Sequence, residues 1–222
     1  MSHPLIEVSA LTWGYPGAHQ LIFDDFHFTL QQGDFCFLVG KSGTGKTTLV
    51  KFLLRQLVPP LKTIFYNKED IARFGADEVQ TYRRNLGVVF QDFKLIETMT
   101  VRENVIYPLL IDGTDPLEKI QYLDSIMKML GLFEKKQVPC KLLSGGEKQR
   151  VSIARALASD PKFIIADEPT GNLDRENSQA IADALIDLHK QGHTILLITH
   201  DQRLVDYIAD HHHDTKRVVL SV

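Results

Sequence analysis

Short apolar runs closed by a glycine or an acid recur along the chain and alternate with stretches whose apolar positions fall at helical spacing. Phe35-Cys36-Phe37-Leu38-Val39 before Gly40, Phe163-Ile164-Ile165-Ala166 before Asp167, and Thr194 to Thr199 read as strands buried on both faces. Leu49, Val50, Leu53, Leu54 and Leu57 predict a helix from Lys46 to Leu57, stopped by Pro59-Pro60, and Ile181, Leu185 and Leu188 mark another. Leu5 to Val8 and Leu21 to Leu30 alternate loosely around a Gly14, Pro16, Gly17 turn cluster and predict antiparallel strands. Thr63 to Tyr66, Gly87 to Phe90 and Arg217 to Leu220 are further strand candidates. From Asp92 to Asp160 the pattern is helical, with Ile120, Leu123, Met127 and Leu130 on one stripe and Val151, Ala154 and Leu157 on another. The alternation predicts an α/β fold in one domain: a mostly parallel core sheet from 1–91 and 161–222, an antiparallel N-terminal β-subdomain within it, and a helical subdomain inserted at 92–160.

Two of the strand ends carry chemistry. Gly40-Lys41-Ser42-Gly43-Thr44-Gly45-Lys46-Thr47, continued by Thr48, fits a phosphate-binding loop, with two glycines five apart followed by Lys and Thr between a buried strand and a helix. Glycines let successive backbone N–H groups converge on phosphate oxygens, and the helix that follows offers its positive end. Lys46 would reach the β- and γ-phosphates and the Thr47 hydroxyl would ligate Mg²⁺. Asp167 and Glu168 end a buried strand, which puts both carboxylates at the ligand-binding edge of a parallel sheet. Asp167 would hold Mg²⁺, directly or through water, and Glu168 would deprotonate an attacking water.

Composition narrows the field. With 222 residues, 44% hydrophobic and 24% charged, the chain can bury a full core and needs no stapling. A net charge of −3 supports no broad basic surface, so no nucleic-acid partner is expected, and Arg83-Arg84 reads as a solvated face or an ion pair. Cys36 and Cys140 lie far apart in unlike settings, which suggests a reducing compartment. No stretch of about 18 apolar residues occurs, so the expectation is a soluble, cytoplasmic chain that meets a membrane only through a partner. His211-His212-His213 reads as a solvated turn, with adventitious metal chelation as the alternative.

Leu143-Ser144-Gly145-Gly146-Glu147-Lys148-Gln149-Arg150 opens a helix with a hydroxyl and two glycines, able to present N–H groups to an anion. This octet resembles the signature motif of ATP-binding-cassette (ABC) ATPases, and other motifs of that family follow in its order. Gln91 in Val89-Phe90-Gln91-Asp92 resembles the Q-loop glutamine, Gly171-Asn172-Leu173-Asp174 the D-loop, and His200 the switch histidine. Tyr15 looks like the aromatic that stacks on adenine, although Trp13 could supply that face.

The resemblance implies a P-loop NTPase fold of ABC type and ATP hydrolysis with Mg²⁺ held at Thr47, Gln91 and Asp167. It implies a catalytic group of Lys46, Gln91, Glu168 and His200, with His200 contacting the γ-phosphate. It also implies a head-to-tail homodimer, in which the loop around Lys46 and the Ser144, Gly145, Gly146 helix end of the other subunit enclose ATP. Asp167 to Asp174 resembles the branch of the family holding cell-division, lipoprotein-release and MacB-type ATPases. Arg83 to Asp92 and Thr100 to Val105 look most like the cell-division members. That implies an integral membrane partner of the FtsX kind at the inner face of the plasma membrane, with a lipoprotein-release or other ABC transporter as the alternative. In relatives the region of Phe93 to Asn104 receives the partner's cytoplasmic helix, so Phe93, Leu95 and Met99 are expected either to line a groove or to pack locally. Leu61-Lys62-Thr63-Ile64 and Asn67 stand where relatives commonly carry glycine. A DNA-acting cassette would need a long coiled coil, which is absent, and an inactive scaffold would lack Lys46, Glu168 or His200.

Overall fold

The computed structural model describes residues 3–17, 20–41 and 43–220. In chain order the strands are β1 Ile6–Trp13, β2 Phe23–Leu30, β3 Phe35–Val39, β4 Ile64–Tyr66, β5 Glu69–Asp70, β6 Leu86–Phe90, β7 Phe163–Asp167, β8 Thr194–Thr199 and β9 Lys216–Val219. The helices are α1 Lys46–Leu53, α2 Ala76–Arg84, α3 Val101–Ile111, α4 Ile120–Met129, α5 Gly145–Leu157, α6 Arg175–Lys190 and α7 Gln202–His211. An antiparallel sheet runs β2-β1-β4-β5, and a second sheet runs β6-β7-β8-β3-β9 with every adjacent pair parallel. Helices α3 to α5 lie between β6 and β7 in sequence.

Alternation along the parallel strands divides the core in two. Phe35, Phe37, Ile164, Ala166, Ile195 and Leu197 face the helices of the 101–157 segment and α6 and α7. Cys36, Leu38, Phe163, Ile165, Leu196 and Ile198 face α1 and the antiparallel sheet. Burial on both faces is why these runs lack polar alternation. Register then sets the site: Val39 pairs with Thr199, Asp167 with Ile198, and Phe90 with Asp167. The chain therefore leaves β3, β6, β7 and β8 on one edge, at Gly40, Gln91, Glu168 and His200.

Two local expectations are corrected. Helix α1 stops at Leu53 rather than Leu57. Arg55 takes a left-handed φ of 53°, and the amides of Gln56 and Leu57 turn back to the Lys51 carbonyl. Tyr82 Oη donates to the Leu53 carbonyl at 2.6 Å and Arg83 donates to the Leu54 and Arg55 carbonyls, so α2 satisfies the helix end. Arg83 is thus structural, and Arg84 pairs with Asp112 at 2.8 Å. The histidine triplet is not a solvated turn. His211 ends α7 stacked on Tyr207, and His212 packs on Phe35 with its Nε2 2.6 Å from His189 Nδ1. Among the described residues no metal-binding group of three His, Cys, Asp or Glu side chains occurs.

Lys62 and Asn67 have φ of 62° and 48°. Asn tolerates that region, but an exposed lysine there bears backbone strain without a compensating turn bond of its side chain. Lys62→Gly keeps the Lys62 N–H to Asp70 Oδ2 bond of 2.9 Å. It is expected to stabilise the chain by about 0.5 to 1 kcal/mol, the left-handed relief outweighing the unfolded-state entropy of glycine. Urea unfolding at equilibrium checks this, and a loss of stability would show that Lys62 is not strained.

Candidate functional site

The loop between β3 and α1 is shaped by the need for glycine. Gly43 and Gly45 have φ of 87° and 92°, and a Cβ on Gly45 would lie 2.4 Å from Ile22 Cγ2. At Gly40 a Cβ would sit 2.6 Å from Thr44 Oγ1 and 2.8 Å from the Leu220 carbonyl. Lys46 is buried, with Nζ donating to the carbonyls of Gly40 at 2.7 Å and Lys41 at 2.9 Å and lying 4.0 Å from Glu168 Oε1. Its charge thus fills the cradle that phosphate oxygens would occupy. Thr44 is buried and donates to the Lys41 carbonyl, whereas Lys41, Gly43 and Thr47 are exposed. Ser42 lies outside the described residues. Thr48 is buried, and its Oγ1 lies 3.3 Å from Tyr15 Oη.

That bond ties Tyr15 to α1. The Tyr15 ring is 39% exposed beside the loop, while Trp13 is wedged edge-on between Tyr15 and Phe52, at 4.5 and 5.1 Å. The geometry leaves Tyr15 free to stack on a flat ligand and makes Trp13 its support. A cleft of about 890 Å³ adjoins the loop, lined among others by Gly40, Lys41, Thr44, His200 and Arg217.

The acidic edge is strained and highly organised. Glu168 takes a left-handed φ of 47°, rare for a side-chain-bearing residue and a mark of functional geometry. Its Oε1 accepts from His200 Nδ1 at 2.7 Å, and its Oε2 accepts from Thr199 Oγ1 at 3.0 Å and from the His200 amide at 3.3 Å. Burial, then the adjacent Glu168 charge and Asp92, push the Asp167 carboxyl up to about 6 against the pull of Lys46. The edge is therefore short of positive charge. An exposed Thr47 hydroxyl and one carboxylate, with phosphate oxygens and waters, form a donor set suited to Mg²⁺, which keeps several waters and binds few protein ligands.

Gln91 is exposed, with Nε2 where a Cβ on Gly171 would approach to 2.7 Å, and Asn172 Nδ2 donates to the Gln91 carbonyl at 3.1 Å. The Q-loop and D-loop candidates thus touch. Phe93 and Lys94 follow at φ of 60° and 49°, their carbonyls gripped by the Arg155 guanidinium of α5. Burial lowers the Arg155 pKa, yet the two carbonyls hold it in place. Sequence reasoning passed over both Arg155 and Thr199, because their partners lie 61 and 31 residues away. Phe93, Leu95 and Met99 are half-buried, with Leu95 on the core cluster. The exposed apolar positions stand instead on α3, at Tyr107, Leu110 and Ile111, beside a cleft of about 620 Å³ lined by Phe90, Lys94, Pro108, Ile111 and Arg155.

Ser144 caps α5 in a reciprocal box with Glu147, whose Oε2 accepts from the Ser144 amide at 2.8 Å. Ser144 and Gly145 are exposed, and Gly146 is pressed so near α6 that a Cβ would fall 2.0 Å from Asn177 Oδ1. Among the described residues no hydrogen bond joins Ser144, Gly145 or Gly146 to the Lys46 loop or to Glu168. The fold gathers Lys46, Asp167, Glu168 and His200 on one edge, and among the described residues no hydrogen bond ties the Ser144 helix end to it.

A family model described as "ABC transporter" matches residues 23–171. The chain is 36% identical over 202 residues to the cell division ATP-binding protein FtsE of Bacillus subtilis, covering 91% of this chain and 88% of that one. It is 38% identical to FtsE of Haemophilus influenzae, covering 90% and 92%. It is 39% identical over 188 residues to the methionine import ATP-binding protein MetN of Mesorhizobium japonicum, spanning 84% of this chain and 52% of that one. Among solved structures, the ATP-binding cassette MJ0796, as a dimer in a post-hydrolysis state with ADP and Pi, superposes with a TM-score of 0.83. Identity there is 28%, over 97% of this chain and 94% of the other.

The raised Asp167 carboxyl makes stability depend on pH. The unfolded chain takes up this proton near 3.8 and the folded chain near 6, so the contribution is full below the lower value and lost as pH rises through the upper. Asp167→Asn is expected to stabilise the nucleotide-free chain by at most about 3 kcal/mol at about pH 8 and by almost nothing at about pH 3. Urea unfolding at both pH values measures the difference, and equal gains would mean that the carboxyl is not disfavoured by burial.

Proposed function

The chain belongs to the ABC transporter family and is an ATP-binding, ATP-hydrolysing cassette of a transporter-like complex, and on that premise we propose how its residues divide the work. ATP lies with its adenine on Tyr15 and its phosphates in the loop from Gly40 to Thr48. Lys46 Nζ exchanges the Gly40 and Lys41 carbonyls for β- and γ-phosphate oxygens, and loop amides and the α1 end supply the remaining donors. Thr47, Asp167 and Gln91 hold Mg²⁺, which when bound neutralises charge on the phosphate oxygens. Glu168 takes a proton from the attacking water. His200 Nδ1 now donates to Glu168, so the ring of a neutral histidine has only a lone pair at Nε2. To donate to a γ-phosphate oxygen, the ring must leave Glu168 or gain a second proton.

One observation carries the dimer: Ser144 and Gly145, with Gly146 buried behind them, form an exposed helix end that, among the described residues, no hydrogen bond links to the Lys46 loop of the same chain. A second copy, head to tail, brings that end to the γ-phosphate. ATP then closes the pair and hydrolysis opens it, a population shift driven by differential contacts. No described helix is long and apolar enough to cross a membrane. The motion drives an integral membrane partner, with the chain peripheral at the inner face of the plasma membrane, a reading supported by the ABC transporter family match. The apolar α3 positions and the cleft beside Lys94 offer that partner a seat.

The partner is of the FtsX kind and the process is control of cell-wall hydrolysis in division, supported by Arg83 to Asp92 and by the FtsE relatives. The MetN relatives, equally similar, favour an importer as the second reading.

Glu168→Gln is expected to keep Mg-ATP affinity within about threefold while turnover falls at least about a hundredfold, and to accumulate as a dimer. Steady-state kinetics and size-exclusion chromatography with ATP check both, and wild-type turnover would remove Glu168 as the base. Ser144→Arg is expected to leave ATP binding to the isolated protomer unchanged and to abolish ATP-dependent dimerisation. Loss of binding by the protomer would place Ser144 in the same subunit's site. Glu168→Gln trapped with Mg-ATP in its native cells should copurify an FtsX-like membrane protein with cell-wall hydrolase or division proteins. A lipoprotein-release pair or an import permease would keep the chemistry and overturn the process.

A further inference from the structure

The two oxygens of the Glu168 carboxylate are held differently. Oε1 meets groups that ATP would recruit elsewhere: the exposed His200 ring at 2.7 Å and Lys46 Nζ at 4.0 Å. Oε2 meets groups fixed by the fold: the Thr199 hydroxyl at 3.0 Å and the His200 amide at 3.3 Å. Thr199 is the last residue of β8, is wholly buried, and pairs with Val39 at the root of the phosphate loop. Its Oγ1 accepts the Asp201 amide at 3.0 Å. With an N–H already pointing at that oxygen, the hydroxyl proton is directed away from Asp201 and towards Glu168, so the hydroxyl has one acceptor and one orientation.

We infer that Thr199 is a positioning residue for hydrolysis, anchoring one oxygen of Glu168 so that the other is released for the attacking water when His200 and Lys46 turn to phosphate. The inference rests on Glu168 being the base. Thr199 is wholly buried, with its hydroxyl spent on Glu168 and the Asp201 amide. It acts by fixing a carboxylate whose backbone is already strained at φ 47°, and so by holding Oε1 along one direction. Without the hydroxyl, Oε2 keeps only the longer amide bond, the carboxylate can rotate, and the Asp201 amide loses its acceptor where α7 begins.

The test uses the full chain, with ATP and Mg²⁺ as probe. Thr199→Val preserves shape and removes the hydroxyl. It should lower kcat about ten- to a hundredfold while the KM for ATP and direct ATP binding move less than about threefold, the pattern of a contact that matters only in the transition state. Thr199→Ser should recover kcat to within about threefold. In the Glu168→Gln background, single-turnover hydrolysis should fall no further when Thr199→Val is added, because the group through which Thr199 acts is already gone.

Undiminished kcat in Thr199→Val overturns the inference. So does a Ser variant as slow as the Val variant, or losses that multiply in the double variant. Wild-type turnover in Glu168→Gln alone overturns the base assignment, and the inference with it, and is recognisable as that failure. If Thr199→Val proves too unstable to assay, Thr199→Cys, which keeps volume and a weak donor, must turn over more slowly than Thr199→Ser, and equal rates overturn the inference.

Discussion

Everything at the candidate site follows from the register of the parallel sheet. β6, β7, β8 and β3 run the same way and end together, so four chain reversals distant in sequence converge on one edge without any loop having to be long. The sheet can hold that register because its strands are apolar on both faces: a one-residue slip would exchange the two buried sets, one packed under α1 and the other under the helices. Catalytic geometry is therefore supported by core packing, and the strain at Glu168 is borne by strands on either side.

Electrostatically, the edge is unbalanced in the absence of ligand. Lys46 spends its charge on its own loop carbonyls, while Asp167 is disfavoured as an anion by burial and by its neighbour Glu168. A triphosphate with a divalent cation, as proposed above, would correct both imbalances at once: it would offer oxygens to Lys46 and a positive charge to Asp167. Binding energy is thus available from the resolution of local conflicts as well as from new contacts.

Local constraints were legible in the sequence, and distant ones were not. The glycines at 40, 43 and 45 are required by φ or by a Cβ clash within a few residues of the phosphate loop, so their pattern alone reveals it. The paired acids after a buried run are legible for the same reason, as are the buried strands. The end of α1 was misread because side chains from α2 stop it, and helical periodicity continues past that point. His212 was misread because its neighbours, Phe35 and His189, come from other elements. Thr199 is a β-branched residue at a strand end, which sequence reads as sheet propensity, and only the fold shows where its hydroxyl points.

Arg155 has a mechanical consequence. Its guanidinium clamps the carbonyls of Phe93 and Lys94 near the far end of α5, while Ser144 caps the near end. The intervening helix is a stiff rod of about 16 Å. Close to the capped end, Gly146 is pressed against Asn177 with no room for a side chain, which holds that end against α6. The segment after Gln91 and the Ser144 tip are therefore fastened to opposite ends of one rigid element.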